Sequence, residues 1–356
     1  MAEDQFGEQI IPGTYIRVQA EALISAGGIS SGNIGIVGTA GEGTGSTRSL
    51  ADYASAREAF GAYDAYAGGS GTLNLPRALE VLFRNGARSV YAYGLPVGAT
   101  PPDYTTAFNE LLKDNVNLLV APELTTDNAK SVLGLVNAAE SNGKDVIAVI
   151  GSDQTTAANV IAQVTENKRF ILCTPGIRAY DSAAGAEVSL SGSYTAAAVA
   201  GLISSLAVQT SPTNKVLPGV TKLNQRYSYT DTTALVSGGV LALEDRRGIR
   251  VVRGITTDSG AFGQITTRRI TDYAKAGIRQ VSNPFIGRLN NERVRKAMQG
   301  AIDGFLATML QDEALTYYQL EVTATRQDEI AGRANVNVVM QPTFSIDYIR
   351  VTLSLQ

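Results

Sequence analysis

Residues 117–151 read NLLVAPELTTDNAKSVLGLVNAAESNGKDVIAVIG. Two apolar runs, NLLVAPE and DVIAVIG, enclose a segment whose apolar residues recur at helical spacing. Continuous apolar runs without polar alternation mark strands that are buried on both faces. Asp127 is placed to cap the intervening helix and Gly143 to end it. Strand, helix, strand in this order is a parallel crossover unit.

The same alternation extends both ways. Upstream, SVYAYGL (89–95) reads as a strand and YTTAFNELLKDN (104–115) as a helix, with Phe108, Leu111 and Leu112 on one face. Downstream, TAANVIAQVTEN (156–167) reads as a helix and RFILCTPG (169–176) as a strand. The strand at Ile34 to Val37 and the helix PRALEVLFRNG (76–86) extend the system towards the N-terminus. The expectation is an α/β class protein, with a parallel sheet covered on both faces, over residues 26–230.

The ends follow another period. In IIPGTYIRVQA (10–20), Ile16 and Val18 alternate with Tyr15 and Arg17. In IDYIRVTLSLQ (346–356), Ile349, Val351, Leu353 and Leu355 alternate with Arg350, Thr352 and Ser354. Alternation of period two describes a half-buried strand. Each such strand must pair, either with its own domain or with a neighbouring subunit, and periodicity does not choose. Between them NERVRKAMQGAIDGFLATMLQ (291–311) carries the stripe Val294, Met298, Ile302, Phe305, Leu306 and Met309, which serves a core or a subunit interface.

Composition excludes several chemistries. The 356 residues include no histidine and one cysteine, which removes Ser-His-Asp and Cys-His pairs, the usual zinc sites and any internal disulfide. Cys173 lies in an apolar run and reads as a small buried hydrophobe. Net charge is −3, so the chain as a whole does not attract nucleic acid or anionic membranes. The polar, acidic start MAEDQFGEQ is unlike a signal peptide, and folding in a cytoplasm is expected. The window from Arg246 to Lys296 holds 12 basic and 3 acidic residues. That window fits a solvated face, a nucleic-acid patch or a dock for an acidic partner. Phe262, Tyr273 and Phe285 are its only aromatics, too few for the interleaved pattern of single-strand binders.

One loop needs a separate test. GNIGIVGTAGEGTGSTRSL (32–50) runs from strand to glycines in the order of a phosphate site. Gly38 and Gly43 have the P-loop spacing, but Thr44-Gly45 stands where Lys-Ser/Thr is required. The dinucleotide fingerprint fails as well, and Glu42 would repel phosphate. The glycines are expected to reverse the chain ahead of a helix capped by Ser49 or Asp52. An α/β enzyme or small-molecule-binding protein is the alternative reading, resting on fold analogy alone. No catalytic, cofactor or metal residues are nominated.

Taken in order, several segments resemble the tail sheath proteins of contractile phage tails and related contractile injection systems. IPGTYIRV (11–18) resembles that family's N-terminal arm. The 32–61 segment ending in Phe60-Gly61 resembles its strand and Gly-rich loop. SGSYTAAAVAGLISSLAVQTSPTNKVLPGV (191–220) resembles its small-residue helix and Ser-Pro-x-Asn-Lys turn. The 223–257 segment is similar in running to Arg-Gly-Ile-Thr-Thr, residues 266–315 in the R-I-x-D-Y region and long helix, and residues 346–356 in the last strand. Thr14 stands where valine is usual, tryptophan is absent, and the chain is short for the family.

The resemblance implies a structural, non-enzymatic subunit without cofactors. It implies hexameric rings in a helical stack around an inner tail tube protein, with baseplate and tail terminator proteins as further partners. It implies no nucleic acid and no direct membrane contact. It also implies an arm (1–25), an outer α/β domain (26–230) and an inner α+β domain (231–356). Terminal strands would be exchanged between subunits through Tyr15, Ile16, Arg17, Val18, Ile349, Arg350, Val351, Leu353 and Leu355. Segments at 20–31 and near Gln341-Pro342 would absorb subunit rotation. Arg288, Arg293, Arg295 and Lys296 become candidates for facing the tube or a neighbouring subunit.

Overall fold

A computed structural model describes residues 29–64 and 73–354. The chain divides into two compact units: residues 30–265 with 345–354, and residues 266–344.

The first unit is built on an eight-stranded sheet. In chain order its elements are β1 (Ile34–Thr39), β2 (Thr47–Leu50), α1 (Tyr53–Phe60), α2 (Asn74–Arg84), β3 (Val90–Leu95), α3 (Pro101–Leu111) and β4 (Leu118–Val120). There follow α4 (Thr126–Leu133), α5 (Leu135–Ser141), β5 (Ile147–Gly151), α6 (Ala157–Ala162), β6 (Phe170–Thr174), β7 (Ile177–Asp181) and β8 (Ala186–Leu190). The unit continues with α7 (Gly192–Ser205), β9 (Lys222–Leu223), α8 (Tyr229–Ser237), β10 (Val240–Asp245) and β11 (Ile249–Val251). Strand order is β11-β10-β6-β5-β4-β1-β3-β2, and β7 to β9 form a separate small sheet. The inner strands are parallel, with Ile34 opposite both Val90 and Leu118. The edge strands β2 and β11 are antiparallel.

The alternation read from the sequence is the cause of this arrangement. β1, β4, β5 and β6 are buried along their whole lengths, as strands covered on both faces must be. One face packs on α2 and α7, whose residues join Ile34, Ile36, Val120 and Ile171 in one core. The other packs on α3 to α6 and α8, with Val37, Leu119, Ala148 and Leu172 in a second core. Cys173 is fully buried in β6, and burial pushes its thiol up.

Four details differ from the sequence reading. Thr125, not Asp127, caps α4 by accepting from the Asn128 N–H, while Asp127 pairs with Lys130. The expected single helix after β4 breaks at Gly134 into α4 and α5. The glycine loop feeds an edge strand, β2, before α1; Asp52 caps α1 in a reciprocal box with Ser55, and Ser49 lies in β2. The division expected after residue 230 falls after Ile265, because β10 adds to β6 in register Val240↔Leu172 and keeps 231–265 in the large sheet.

The second unit holds α9 (Ile265–Ser282, its first residue at the boundary), a 3-10 turn (Asn283–Phe285), α10 (Glu292–Gln311), β12 (Leu315–Thr323), α11 (Arg326–Ile330) and β13 (Asn335–Pro342). Met298, Ile302, Phe305, Leu306 and Met309 of the α10 stripe are buried. β12 and β13 form an antiparallel hairpin that lies against α10: Tyr318 donates to Asp303, and Gln299 donates to the Leu320 carbonyl. Among the described residues these two strands pair only with each other.

Candidate subunit interface

The last described stretch does not form the strand that its alternation predicts. Residues 343–354 have no ladder partner among the described residues. Ile349, Val351 and Leu353 are 74–86% exposed, and Phe344, Ile346 and Tyr348 are exposed with them. Such a row of apolar side chains beside unpaired backbone is costly to leave in water and is suited to adding to another sheet. Leu355 lies outside the described residues, as do Tyr15, Ile16, Arg17 and Val18.

The root of this arm is held firmly. The Thr343 N–H donates to the Ala314 carbonyl. The Ser345 N–H donates to Gln264 Oε1 at 3.4 Å. Asp347 then turns inward, its side chain only 6% exposed. Its Oδ2 accepts from Arg253 Nε at 2.7 Å and Gln264 Nε2 at 3.3 Å. Its Oδ1 accepts from Ser345 Oγ at 3.0 Å and Thr213 Oγ1 at 3.3 Å. A buried carboxylate is tolerated when a guanidinium and further donors surround it in this way. The Arg253 guanidinium also lies 5.5 Å from the Tyr348 ring centroid.

The clasp around Asp347 is assembled from three segments that are far apart in sequence. Thr213 Oγ1 accepts from the Gly254 N–H at 2.9 Å and from Ser211 Oγ at 2.9 Å. Pro212 lies so close that a Cβ on Gly254 would come within 2.6 Å of its Cγ. Asn214 takes a left-handed backbone, φ 59°, and its N–H donates to the Val251 carbonyl. Arg250 Nη1 donates to the Asn214 carbonyl at 2.8 Å. The Ser-Pro-x-Asn-Lys turn, the Arg-Gly-Ile-Thr-Thr strand end and the C-terminal segment thus meet at one carboxylate. Sequence reasoning missed Asp347 and Arg253. The signal was present: Asp347 stands in the same register as Ile349, Val351 and Leu353, an acid in an apolar row.

The four candidate basic residues surround the start of α10 and have unlike surroundings. Arg295 is mostly buried, its Nη1 donating to Glu329 Oε1 at 3.0 Å and Asn290 Oδ1 at 2.9 Å. Lys296 forms an exposed pair with Glu292. Arg288 is exposed, its guanidinium 5.1 Å from the Phe285 ring centroid. Arg293 is exposed.

At the entry to the glycine loop, the last N–H of β1 is already engaged. The Thr39 N–H donates to Asn74 Oδ1 at 2.8 Å, and the Asn74 N–H donates back to Thr39 Oγ1 at 3.3 Å. Asn74 thereby closes the carboxyl end of β1, beside β4, where open α/β sheets take their ligands.

The family model of the phage tail sheath protein central domain matches residues 97–257, and that of the phage tail sheath C-terminal domain matches residues 257–356. A search of curated proteins finds no match. Among solved structures, the contracted helical sheath of the anti-feeding prophage is similar with TM-score 0.75 and 20% identity, over 98% of this chain and all of that one. The contracted sheath complex of the extracellular contractile injection system PVC has TM-score 0.75 and 16% identity, over 98% of both chains. A sheath tail protein from Listeria innocua has TM-score 0.69 and 12% identity, over 90% of this chain and 94% of that one. At these identities the likeness is one of fold.

Proposed function

The chain belongs to the phage tail sheath family, and from that premise we propose that it is the repeating structural subunit of a contractile sheath. Copies stack as six-membered rings in a helical array around an inner tube of a separate protein. A baseplate starts contraction and a terminator protein closes the stack. Contraction drives the tube through a target cell envelope, using energy stored in a metastable extended array. The subunit is made in a bacterial cytoplasm, needs no cofactor and carries out no catalysis.

The observation that carries this reading is the arm: a clasped root followed by an exposed apolar row with no ladder partner among the described residues. The β12–β13 hairpin supplies the complementary feature, two strands with free outer edges among the described residues. Strand addition joins such parts through main-chain hydrogen bonds. Tyr15 to Val18 and Ile349 to Leu355 are the strands that would cross to neighbours. Arg288 and Arg293, exposed near the start of α10, are the best placed of the four cations to meet acidic groups on the tube. Contacts of that kind contribute about 0–1 kcal/mol each, weak enough for the tube to slide free.

Deleting residues 349–356 tests the reading. The truncated chain is expected to be a folded monomer that forms no tubes by negative-stain microscopy. Sheath-like tubes from the truncated chain would refute strand exchange through this arm.

A further inference from the structure

The path from β13 into the arm is tied down at each step. Gln341 and Pro342 still lie in the hairpin ladder, opposite Tyr317 and Leu315. Thr343 is bonded to Ala314, Ser345 to Gln264, and Asp347 to four donors. Beyond Tyr348, which has only its ring beside Arg253, the ties stop: residues 349–354 make no hydrogen bond or ion pair among the described residues. Gln341 and Pro342, near one of the two flexible segments that the family resemblance implies, are themselves part of the ladder.

We infer that the clasp on Asp347 stays shut while sheath subunits rotate, and that the joint of the inter-subunit linkage is the short stretch from Tyr348 to Arg350. The inference rests on the sheath reading above. Opening the clasp would strip one buried carboxylate of a guanidinium, an amide and two hydroxyls together. Turning the backbone at Ile349, at the root of the exchanged strand, breaks no hydrogen bond to the described residues of its own subunit. Rotations are absorbed where few residues can change φ and ψ without losing contacts. Asp347 is thus a positioning residue: it fixes the point from which each arm departs, so that every subunit of a ring offers its strand from the same place.

The test is a lock. Gln264→Cys with Ser345→Cys in the full chain places two thiols across the clasp, and the native Cys173 is buried. Extended particles carrying this chain are treated with a short bismaleimide, occupancy is read by mass spectrometry, and contraction is then triggered chemically. Thr213→Cys with Ser345→Cys is the second pair, should the first fail to fold. Cross-linked particles are expected to shorten to the same final length as untreated ones in negative-stain images. Particles that stay extended when cross-linked, but contract when untreated, overturn the inference and leave the sheath reading intact. A wild-type chain that forms no sheath overturns the reading itself and the inference with it.

Discussion

The ring of Phe305 on α10 fills the space that a side chain at residue 277 on α9 would need. A Cβ on Gly277 would lie 1.6 Å from Phe305 Cζ. The two helices approach this closely because the aromatic ring packs directly on bare backbone, and a packed interior has little room to yield. Gly277→Ala is therefore expected to destabilise the 266–344 unit by about 1–3 kcal/mol, the usual cost of overpacking. Urea unfolding should show it as a lower midpoint. Adding Phe305→Leu should recover part of the loss, which a simple helix-propensity effect would not allow.

Asp347→Asn keeps the shape of the clasp and removes its charge. The Arg253 side chain, 30% exposed, regains some hydration when its partner is neutral. The expected cost is accordingly about 1–2 kcal/mol, below that of breaking a fully buried pair. Limited proteolysis should cut near Ser345 faster in the variant than in the parent. Equal rates would show that the carboxylate does not hold the root.

Removal of residues 349–356 should leave stability almost unchanged. Exposed apolar side chains bury little in their own chain, so their loss is expected to shift stability by less than about 0.5 kcal/mol. Unfolding curves of the truncated and intact monomers should superimpose. A large drop would mean that the arm packs on its own subunit in solution.

Arg295 and Arg293 should behave as opposites. Arg295→Ala strips Glu329 and Asn290 of a shared partner, and is expected to cost about 1 kcal/mol in unfolding experiments. Arg293→Glu with Arg288→Glu should leave unfolding unchanged and weaken assembly around the tube. Added salt should weaken the parent's assembly in the same direction.

Acid should loosen helix starts first. Hydrogen bonds from Ser55, Thr100 and Thr325 hold Asp52, Asp103 and Asp328 below the ordinary carboxylate value of 3.8. A carboxylate whose folded pKa is depressed contributes its full stability above the unfolded value. That contribution is lost as pH falls through the lower folded pKa. Amide exchange should therefore rise at the first turns of α1, α3 and α11 only below about pH 4. Asp103→Asn should remove the pH dependence at α3.

How much of this was legible in the sequence depends on where the deciding partner lies. β4 and β5 were plain because burial on both faces leaves uninterrupted apolar residues. The break at Gly134 was not, since a glycine is tolerated inside a helix and only neighbouring packing decides. The cap at Thr125 was misassigned to Asp127 because both residue types suit the role. Alternation in 346–356 describes a strand, yet residues 343–354 form none among the described residues. It carries no information on whether the pairing strand belongs to the same chain. Asp347 was overlooked because its partners, Thr213, Arg253 and Gln264, are brought to it by the fold alone. The boundary after Ile265 was hidden because the basic window from Arg246 to Lys296 runs straight across it.

The clasp also sets a load path. Gln264 and Ser345 flank the whole of residues 266–344, and their hydrogen bond closes that stretch at its base like a drawn loop. On the proposed reading, tension on the arm beyond Tyr348 would meet Asp347 first, and through it Arg253, close in sequence to β11. Four hydrogen bonds on one carboxylate would have to give way together before that point moved.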